Sequence, residues 1–240
     1  SNPYQMNILF DADSMIYASC YDTEIKDFYS DVDQAIEKYE DQMDELRHEI
    51  EDFTWIDTFN TFHGSRGNFR KYIGNRSYKA NRKGDRPEII DHLHEYVRLE
   101  YDGISGYGVE TDDMVARYWY HNLGFKERTR EDLLIVAIDK DYKQLPCWLY
   151  NYHYKHKTLL DISYDDARYN FYEQMVSGDQ ADNVNYLYGK GKAFCKKYFV
   201  RGESEYQYKR KTFQLFKDRY KGKAREKYIE CYNLLRLKVD

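Results

Sequence analysis

The stretch MNILFDAD, residues 6 to 13, is a short apolar run that ends in two aspartates. LLIVAID, residues 133 to 139, repeats this design, and WIDTFNTF, residues 55 to 62, is a third strand candidate. A short apolar run without regular polar alternation is typical of a strand covered on both faces, as in a parallel sheet. The sequence therefore predicts buried strands whose carboxyl ends carry acidic residues.

A long amphipathic helix is predicted over residues 31 to 53, between MNILFDAD and WIDTFNTF. Its apolar residues alternate spacings of four and three, which is the period of one helix face. They are Val32, Ile36, Tyr39, Met43, Leu46, Ile50 and Phe53. Strand, helix and strand in this order imply a mostly parallel sheet flanked by helices, in which ligands bind beyond the carboxyl ends of the strands. We therefore predict an α/β fold with its functional site at that edge.

Composition excludes several classes of protein. A chain of 240 residues can bury a substantial core. No run of about 18 apolar residues and no signal-peptide pattern occur, so we expect a soluble cytoplasmic protein that does not cross a membrane. The four cysteines lie far apart without CxxC pairing, which argues against a zinc site and against a secreted disulfide framework.

The net charge of −5 is unevenly distributed. Residues 190 to 240 contain 16 Lys and Arg against 6 Asp and Glu, a balance of +10, so the preceding 189 residues carry −15. An acidic body with a basic tail indicates a polyanionic partner for the tail. The alternative is a solvated helix face without a partner.

Carboxylates recur in four places along the chain. These are Asp11 and Asp13; Glu110, Asp112 and Asp113; Asp139 and Asp141; and Asp179 and Asp182. Each group alone could be a helix cap or a turn. If the strand ends converge, however, so many like charges cannot all remain ionised without a counter-cation. Oxygen ligands without His or Cys suit Mg²⁺ or Mn²⁺, and two such ions about 4 Å apart can activate water for phosphodiester hydrolysis.

A basic segment, GNRSYKANRKGDRP, covers residues 74 to 87. Its cations are Arg76, Lys79, Arg82, Lys83 and Arg86, with Tyr78 among them. Cations beside an aromatic ring suit a nucleic-acid strand, because the charges contact phosphates and the ring stacks on a base. Lys79 and Arg82, three residues apart, would share a helical face and could reach one scissile phosphate. An exposed basic loop is the alternative.

A different phosphate chemistry is also compatible with two of these motifs. FDADS, residues 10 to 14, is similar to the DxD opening of haloacid-dehalogenase phosphatases, where the first Asp is a nucleophile. GDQADN, residues 178 to 183, is similar to their later acidic loop but is one residue shorter than the usual GDxxxD. Neither GVETDD nor DKD has a place in that family, so the phosphatase is the alternative and not the main interpretation.

Acidic and basic motifs in this order resemble the flap endonuclease and 5′→3′ exonuclease family, particularly its phage-encoded replication exonucleases. The resemblance runs from residue 8 to about 199 through ILFDADSMIYA, FRKYIGNRSYKANRK, GVETDDMVA, LLIVAIDKDYKQLP and VSGDQADNV with GKGKAFCKKYF. It implies a PIN-like α/β catalytic domain over residues 1–164, with a mostly parallel central sheet flanked by helices. Residues 165–240 would form a helical DNA-binding module that contains a helix-hairpin-helix of the H2TH type.

The resemblance also implies roles for individual residues. Asp11, Glu110, Asp112 and Asp113 correspond to the ligands of a first metal ion, and Asp139, Asp141, Asp179 and Asp182 to the remaining ligands. Tyr78, Lys79 and Arg82 would lie in a gateway helix that holds the 5′ end and the scissile phosphate, with Arg76 and Lys83 beside them. Gly189, Lys190, Gly191 and Lys192 would grip the downstream duplex through their amides, with K⁺ as a further ligand. The implied catalytic residues are Lys79, Arg82, Asp11, Asp112 and Asp141.

The implied activity is that of a monomeric 5′ nuclease dependent on two Mg²⁺ or Mn²⁺ ions. Its substrate would be a DNA duplex with a 5′ end or a flap, or an RNA primer in an RNA–DNA hybrid, during phage replication or recombination. A phage-encoded chain would work in the host cytoplasm. A catalytically weak DNA-binding relative of the family is the alternative.

Two features depart from the family pattern. The family has an Asp after the Phe that ends the third strand, where this chain has His63 after Phe62. We do not expect His63 to be a metal ligand, and its presence motivates the alternative of weak catalysis. The 27 residues from 83 to 109 are too few for a long helical arch, which favours an open groove and exonucleolytic action from 5′ ends.

Overall fold

The computed structural model describes residues 5–74, 78–79, 86–125 and 129–240. The strands are β1 (Gln5–Asp11), β2 (Tyr21–Asp22), β3 (Asp27–Phe28), β4 (Trp55–Phe62), β5 (Leu133–Val136), β6 (Trp148–Asn151) and β7 (Thr158–Asp161). The helices are α1 (Asp13–Ser19), α2 (Val32–Glu51), α3 (Glu88–Glu100), α4 (Thr111–Phe125), α5 (Tyr164–Ser177), α6 (Lys192–Tyr198), α7 (Glu205–Tyr220) and α8 (Ala224–Leu235).

The central sheet has the strand order β4-β1-β5-β6-β7, and only the pairing of β7 with β6 is antiparallel. The mostly parallel sheet predicted from the sequence is therefore confirmed. β5 ends at Val136, three residues before the end of the predicted strand. The chain leaves the sheet there because Asp139 begins a short 3₁₀ helix, Lys140–Gln144.

β1 lies at the centre of the core. Ile8 and Phe10 are fully buried in one hydrophobic cluster with α1, α2 and α3, whereas Leu9 is buried on the opposite face with residues of α4 and β5. Successive side chains of a strand point to opposite faces, so one apolar run supplies both layers. This burial on both faces is what the uninterrupted apolar sequence predicted.

The predicted amphipathic helix forms α2. Asp31 caps its start by accepting a hydrogen bond from the Asp33 amide at 2.9 Å. The buried face consists of Ala35, Tyr39, Met43, Leu46 and Ile50. Phe53 lies beyond the end of the helix and is 40% exposed, so the buried stripe ends one turn earlier than predicted.

The four helices after β7 pack around a third hydrophobic cluster. The predicted domain boundary at residue 164 falls at the first residue of α5 and stays a prediction. The chain after α8 returns to the sheet, where Leu237 is buried with residues of β5. Gln144 fixes this return, because its side chain donates to the Leu235 carbonyl at 3.0 Å and accepts from the Leu237 amide at 2.9 Å. Among the described residues, no helix is both long and apolar enough to cross a bilayer.

Strand β5, the middle strand of the sheet, should contribute strongly to the free energy of unfolding. Leu134 of β5 is fully buried, so we expect Leu134→Ala to lower the free energy of unfolding by about 2–5 kcal/mol through lost burial and a cavity. Urea denaturation followed by circular dichroism measures this. Leu159→Ala on β7 is the matched control, because Leu159 is 40% exposed and its loss should have a much smaller effect. Equal losses for the two variants would contradict the assignment of the core.

Candidate metal centre

A polar cavity of about 350 Å³ opens at the carboxyl edge of the parallel strands. Its acidic lining residues are Asp11, Asp13, Glu110, Asp112, Asp139, Asp141, Asp179 and Asp182. Seven of the eight metal ligands implied by the resemblance therefore meet in one place, and the eighth, Asp113, lies behind it. We call this cavity the acidic cleft.

Asp11 is placed by the end of β1 and is 9% exposed. One carboxylate oxygen accepts from the Tyr142 hydroxyl at 2.6 Å, and the other accepts from the Asp13 amide at 3.2 Å. Burial, together with the charge of Asp13, raises the pKa of Asp11 to about 8. A carboxylate in this environment gains free energy from any cation that reaches it.

Asp112 lies in the first turn of α4, where the helix N-terminus favours acidic residues. It is 8% exposed, and its Oδ1 is buried without a hydrogen-bond partner among the described residues. Burial and the charge of Asp139 hold its pKa well above the usual value. A buried carboxylate oxygen without a partner is a good candidate for a metal ligand, because an unsatisfied buried acceptor is costly.

Asp139 and Asp141 sit at the start of the 3₁₀ helix that follows β5. Asp139 caps this helix by accepting from the Asp141 amide at 2.8 Å. Asp141 accepts from the Gln174 side chain at 3.0 Å, and burial together with the charge of Asp139 raises its pKa to about 8. The sequence DKD thus places two carboxylates on one tight turn facing the cleft.

The loop after α5 supplies the last two acids. Gly178 ends α5 with φ of +80°, and a Cβ there would lie 2.4 Å from the Val184 carbonyl oxygen, so this position requires glycine. Asp179 and Val184 exchange backbone hydrogen bonds of 2.7 and 2.9 Å across the loop. This closure buries Asp179 and Asp182, which are 2% and 7% exposed.

The carboxylates form three groups whose ligand atoms lie within 4.8 Å of one another: Glu110, Asp112 and Asp113; Asp112, Asp139 and Asp141; and Asp141, Asp179 and Asp182. Asp112 joins the first group to the second, and Asp141 joins the second to the third. The donor set consists of oxygen atoms only, which suits a hard divalent cation such as Mg²⁺ or Mn²⁺. The raised pKa values and the unpartnered Asp112 Oδ1 fit such an ion as well.

Sequence reasoning missed Arg70, which is 2% exposed behind the cleft. Its guanidinium holds Asp113 with two hydrogen bonds of 2.6 and 2.7 Å and donates to Glu110 at 2.7 Å. Burial alone would lower the pKa of Arg70, but hydrogen bonding and the charge of Asp113 outweigh it and the pKa is raised. Asp113 also accepts hydrogen bonds from the amides of Glu110 and Lys238, so both of its oxygens have partners. Its role as a metal ligand stays a prediction.

The last turn of α8 and the chain that follows it complete this buried ion pair. Arg70 donates from Nε to the Leu234 carbonyl at 3.0 Å and from a terminal nitrogen to the Arg236 carbonyl at 2.6 Å. Every donor direction of a buried guanidinium needs an acceptor, and the returning chain provides two of them. The cleft therefore depends on residues more than 160 positions away in sequence.

Tyr78 and Lys79 reach the cleft but lie in a turn, not in the helix that the spacing predicted. Lys79 has a φ of +57°, a left-handed conformation that an α-helix does not contain. Its Nζ forms an ion pair with Glu110 and lies 3.9 Å from Asp182. The Tyr78 hydroxyl donates to Glu110 at 3.0 Å, and the ring is 7% exposed, so Tyr78 supports the acids instead of presenting a free stacking surface.

Lys140 is a second cation in the cleft, and sequence reasoning did not single it out. Its Nζ lies 3.0 Å from the buried Asp179. The residue stands between two predicted ligands in DKD, which is the signal that could have identified it. Arg76, Arg82 and Lys83, predicted to contact substrate, lie outside the described residues.

The predicted hairpin lies before α6. Gly189 has a φ of +87°, and Gly191 is the N-cap of the helix. Gly189, Gly191 and Lys192 are exposed, and a Cβ on either glycine would meet no atom within 4 Å. The Lys190 ammonium lies 4.8 Å from the centroid of the Phe194 ring. The backbone of this turn is therefore open to a ligand on its outer side.

His63 does not join the acids. It is 1% exposed and stacks on His94, with ring centroids 5.3 Å apart and the two Nδ1 atoms at 3.0 Å. Burial, together with His94, lowers the pKa of His63 to about 4. No group of described residues that could hold a metal includes His63.

Solved structures share this α/β fold with its helical C-terminal half. A mutant of the bacteriophage T5 5′-exonuclease matches with a TM-score of 0.61 and 15% identity, covering 98% of this chain and 89% of that one. The bacteriophage T5 flap endonuclease in complex with DNA and metal ions matches with a TM-score of 0.56 and 14% identity, covering 96% and 99%. The T5 5′-exonuclease with bound zinc matches with a TM-score of 0.55 and 14% identity, covering 98% and 99%.

No protein-family model matches the chain, and no curated protein matches it by sequence. The likeness to the T5 enzymes extends over nearly the whole chain and establishes the fold. The PIN-like α/β architecture with a helical module, implied by the resemblance of the motifs, is thereby confirmed.

Removing the Arg70 charge should destabilise the fold strongly. We expect Arg70→Met to lower the free energy of unfolding by about 3–5 kcal/mol, because Asp113 would remain buried and unpaired. Arg98→Met is the control, since the Arg98–Glu95 pair is solvent-exposed and should leave the urea midpoint nearly unchanged. A small effect of Arg70→Met would show that the ion pair is dispensable.

Divalent ions should stabilise the protein more at high pH. The folded state holds protons on Asp11 and Asp141 more tightly than the unfolded chain, so the metal-free protein loses stability as pH rises from about 4 to 8. Mg²⁺ or Mn²⁺ competes with these protons, and at 100 times Kd it should add about 2.7 kcal/mol. Thermal denaturation with and without metal at pH 6 and pH 8.5 measures this. Asp112→Asn should reduce the gain, and a gain independent of pH would argue against binding at these acids.

Proposed function

We propose that the protein is a divalent-metal-dependent 5′ nuclease that hydrolyses phosphodiesters in DNA. The observation that carries this proposal is the convergence of three linked carboxylate groups at the carboxyl edge of the sheet, with Lys79 among them. Bound divalent ions would supply an activated water and charge stabilisation for the leaving oxygen. The residues fit two such ions, most simply Mg²⁺ or Mn²⁺.

Asp11, Asp112 and Asp141 would hold the ions, and the ion pairs of the cleft suggest what the lysines do. Lys79 and Lys140 compensate the acids through Glu110 and Asp179. Divalent ions would take over this compensation and release Lys79 to contact the scissile phosphate, with Arg82 as the second predicted contact. Orienting a phosphate by a fixed cation contributes to transition-state stabilisation without covalent chemistry.

The basic C-terminal half provides a second contact with DNA. Gly189, Lys190, Gly191 and Lys192 would bind the duplex backbone, because the open turn at the start of α6 presents amides and ammonium groups to a phosphate. K⁺ is a further proposed ligand of this turn. The T5 flap endonuclease with a similar fold was solved in complex with DNA and metal ions, which supports DNA as the partner.

The described part of the segment before α4 favours an open groove. α3 occupies most of it, and Ile89, Leu93 and Val97 bury this helix against α1 and α2. Residues 86–109 therefore contain no free-standing arch through which a long flap could pass. We propose action on 5′ ends and short flaps of DNA or RNA–DNA hybrids by a monomer. The phosphatase alternative loses its support, since the fold is that of the T5 exonuclease.

Cleavage of a duplex with a labelled 5′ flap tests the proposal. Wild type should release short 5′ products in Mg²⁺ or Mn²⁺, and chelation with EDTA should stop the reaction. Asp141→Ala removes a ligand shared by two carboxylate groups, and Lys79→Ala removes a phosphate contact. Each should slow single-turnover cleavage by about 10²–10³-fold. Asp57→Ala, an exposed residue of β4 outside the cleft, is the control and should cleave at the wild-type rate.

Two results would contradict the proposal. DNA binding without any cleavage in either metal would identify a binding protein that keeps the fold. Cleavage that persists unchanged in Asp141→Ala would place the chemistry elsewhere.

A further inference from the structure

A second cavity of about 460 Å³ lies directly beside the acidic cleft. Ser14 and Ile138 line both cavities, so the two are neighbours. In contrast to the cleft, this cavity has mainly apolar walls, formed by Met15, Leu46 and Tyr152. We call it the apolar pocket. Its volume falls within the roughly 300–1,000 Å³ typical of small-molecule sites.

Tyr152 connects the apolar pocket to the predicted ligand Asp11. Its hydroxyl donates to the backbone carbonyl of Asp11 at 3.2 Å, and its ring packs edge-on against Phe10 at 5.6 Å between centroids. The ring is therefore fixed by strand β1, the strand that also positions the carboxylate. A group bound against Tyr152 would lie at a defined place relative to a phosphate in the acidic cleft.

The mouth of the pocket carries exposed aromatic rings on the β6–β7 connection. Tyr154 is 74% exposed and stacks on His153, with ring centroids 4.7 Å apart and planes 26° apart. The Lys155 ammonium lies 5.4 Å from the Tyr154 centroid. β6 runs parallel to β1 and β5, so this connection emerges at the same edge as the acids. An exposed aromatic platform next to a cation suits a base of single-stranded nucleic acid.

The polar rim offers hydrogen bonds to a bound group. Glu45 and Glu49 line the pocket, and Lys157 forms ion pairs with both. Their carboxylate oxygens can accept hydrogen bonds from amino groups. Gln42 adds a donor and an acceptor. Apolar walls with such a rim match a nucleobase.

We propose that the apolar pocket binds one unpaired nucleobase of the DNA whose scissile phosphate lies in the acidic cleft, an inference that rests on the proposed function. Tyr154 stacks on the base at the mouth, and Tyr152 forms the inner wall. The pocket thereby sets which phosphate is presented to the cleft and favours substrates with an unpaired nucleotide at the junction.

A set of flapped duplexes with one abasic nucleotide at each position around the cleavage site tests this. Affinity is measured in EDTA by fluorescence anisotropy, so that no DNA is consumed. Wild type should lose about tenfold in affinity when one particular nucleotide lacks its base, since base stacking on an aromatic ring is worth this much. Tyr154→Ala should bind intact DNA about tenfold more weakly than wild type. It should lose no further affinity when that same nucleotide lacks its base. Such non-additivity identifies a direct contact.

Two further variants complete the design. Ala18→Phe fills the pocket from the exposed face of α1 without removing a wall residue, and it should give the same result as Tyr154→Ala. Tyr206→Ala on α7 is the matched control, because Tyr206 is 72% exposed and remote in sequence from the pocket, and it should behave as wild type. Thermal denaturation verifies that each variant is folded.

An abasic penalty that is equal in wild type, Tyr154→Ala and Ala18→Phe overturns the proposal, as does the absence of any sensitive position. The outcomes separate this inference from the nuclease activity. If the affinity losses are additive but metal-dependent cleavage occurs, the proposal for the pocket is wrong and the nuclease proposal stands. If the losses are non-additive but no cleavage occurs, the pocket is supported in a protein that only binds DNA.

Discussion

Mutual repulsion among buried carboxylates is the constraint on which the rest of the structure depends. Parallel strands bring their carboxyl ends to one edge, where acids follow β1 and β5. The remaining acids of the cleft come from the start of α4 and from the loop after α5. Cations behind and in front of the cleft compensate the charges of these acids. Arg70 permanently neutralises Asp113 at the back, and Lys79 and Lys140 pair with Glu110 and Asp179 at the front. The middle of the cleft, around Asp112, has no cation among the described residues, and there a divalent ion fits best.

The cations around the acids therefore have two different roles, one structural at Arg70 and one available for chemistry at Lys79 and Lys140. A guanidinium held on all sides is part of the scaffold, since it cannot lose its proton and has no room to move. The lysines reach the acids from the open side, and a single ammonium on a flexible stem can exchange partners. The positive charge behind the cleft is therefore fixed, whereas the positive charges in front of it can exchange partners.

Much of this arrangement could be predicted from the sequence because it depends on local patterns. The apolar run before Asp11, the helical period of α2 and the turn residues around Asp179 each span only a few residues. The role of Arg70 could not be predicted, because its partners lie 40 to 166 residues away in sequence. The helical face proposed for Lys79 was wrong because spacing cannot reveal a residue with positive φ. The role proposed for the aromatic loop around Tyr154 could not be predicted either, because it depends on the position of this loop beside the cleft.

The hydrogen bonds of Arg70 to Leu234 in the last turn of α8 and to Arg236 beyond it link the two halves of the chain. Residues 1–164 contain the sheet and most of the acids, yet a fragment ending there would bury a guanidinium that lacks the Leu234 and Arg236 carbonyls. It would also lack Leu237, which fills the core beside β5. The predicted boundary at residue 164 therefore cuts through one buried ion pair and one hydrophobic cluster. We expect each half of the chain to stabilise the other.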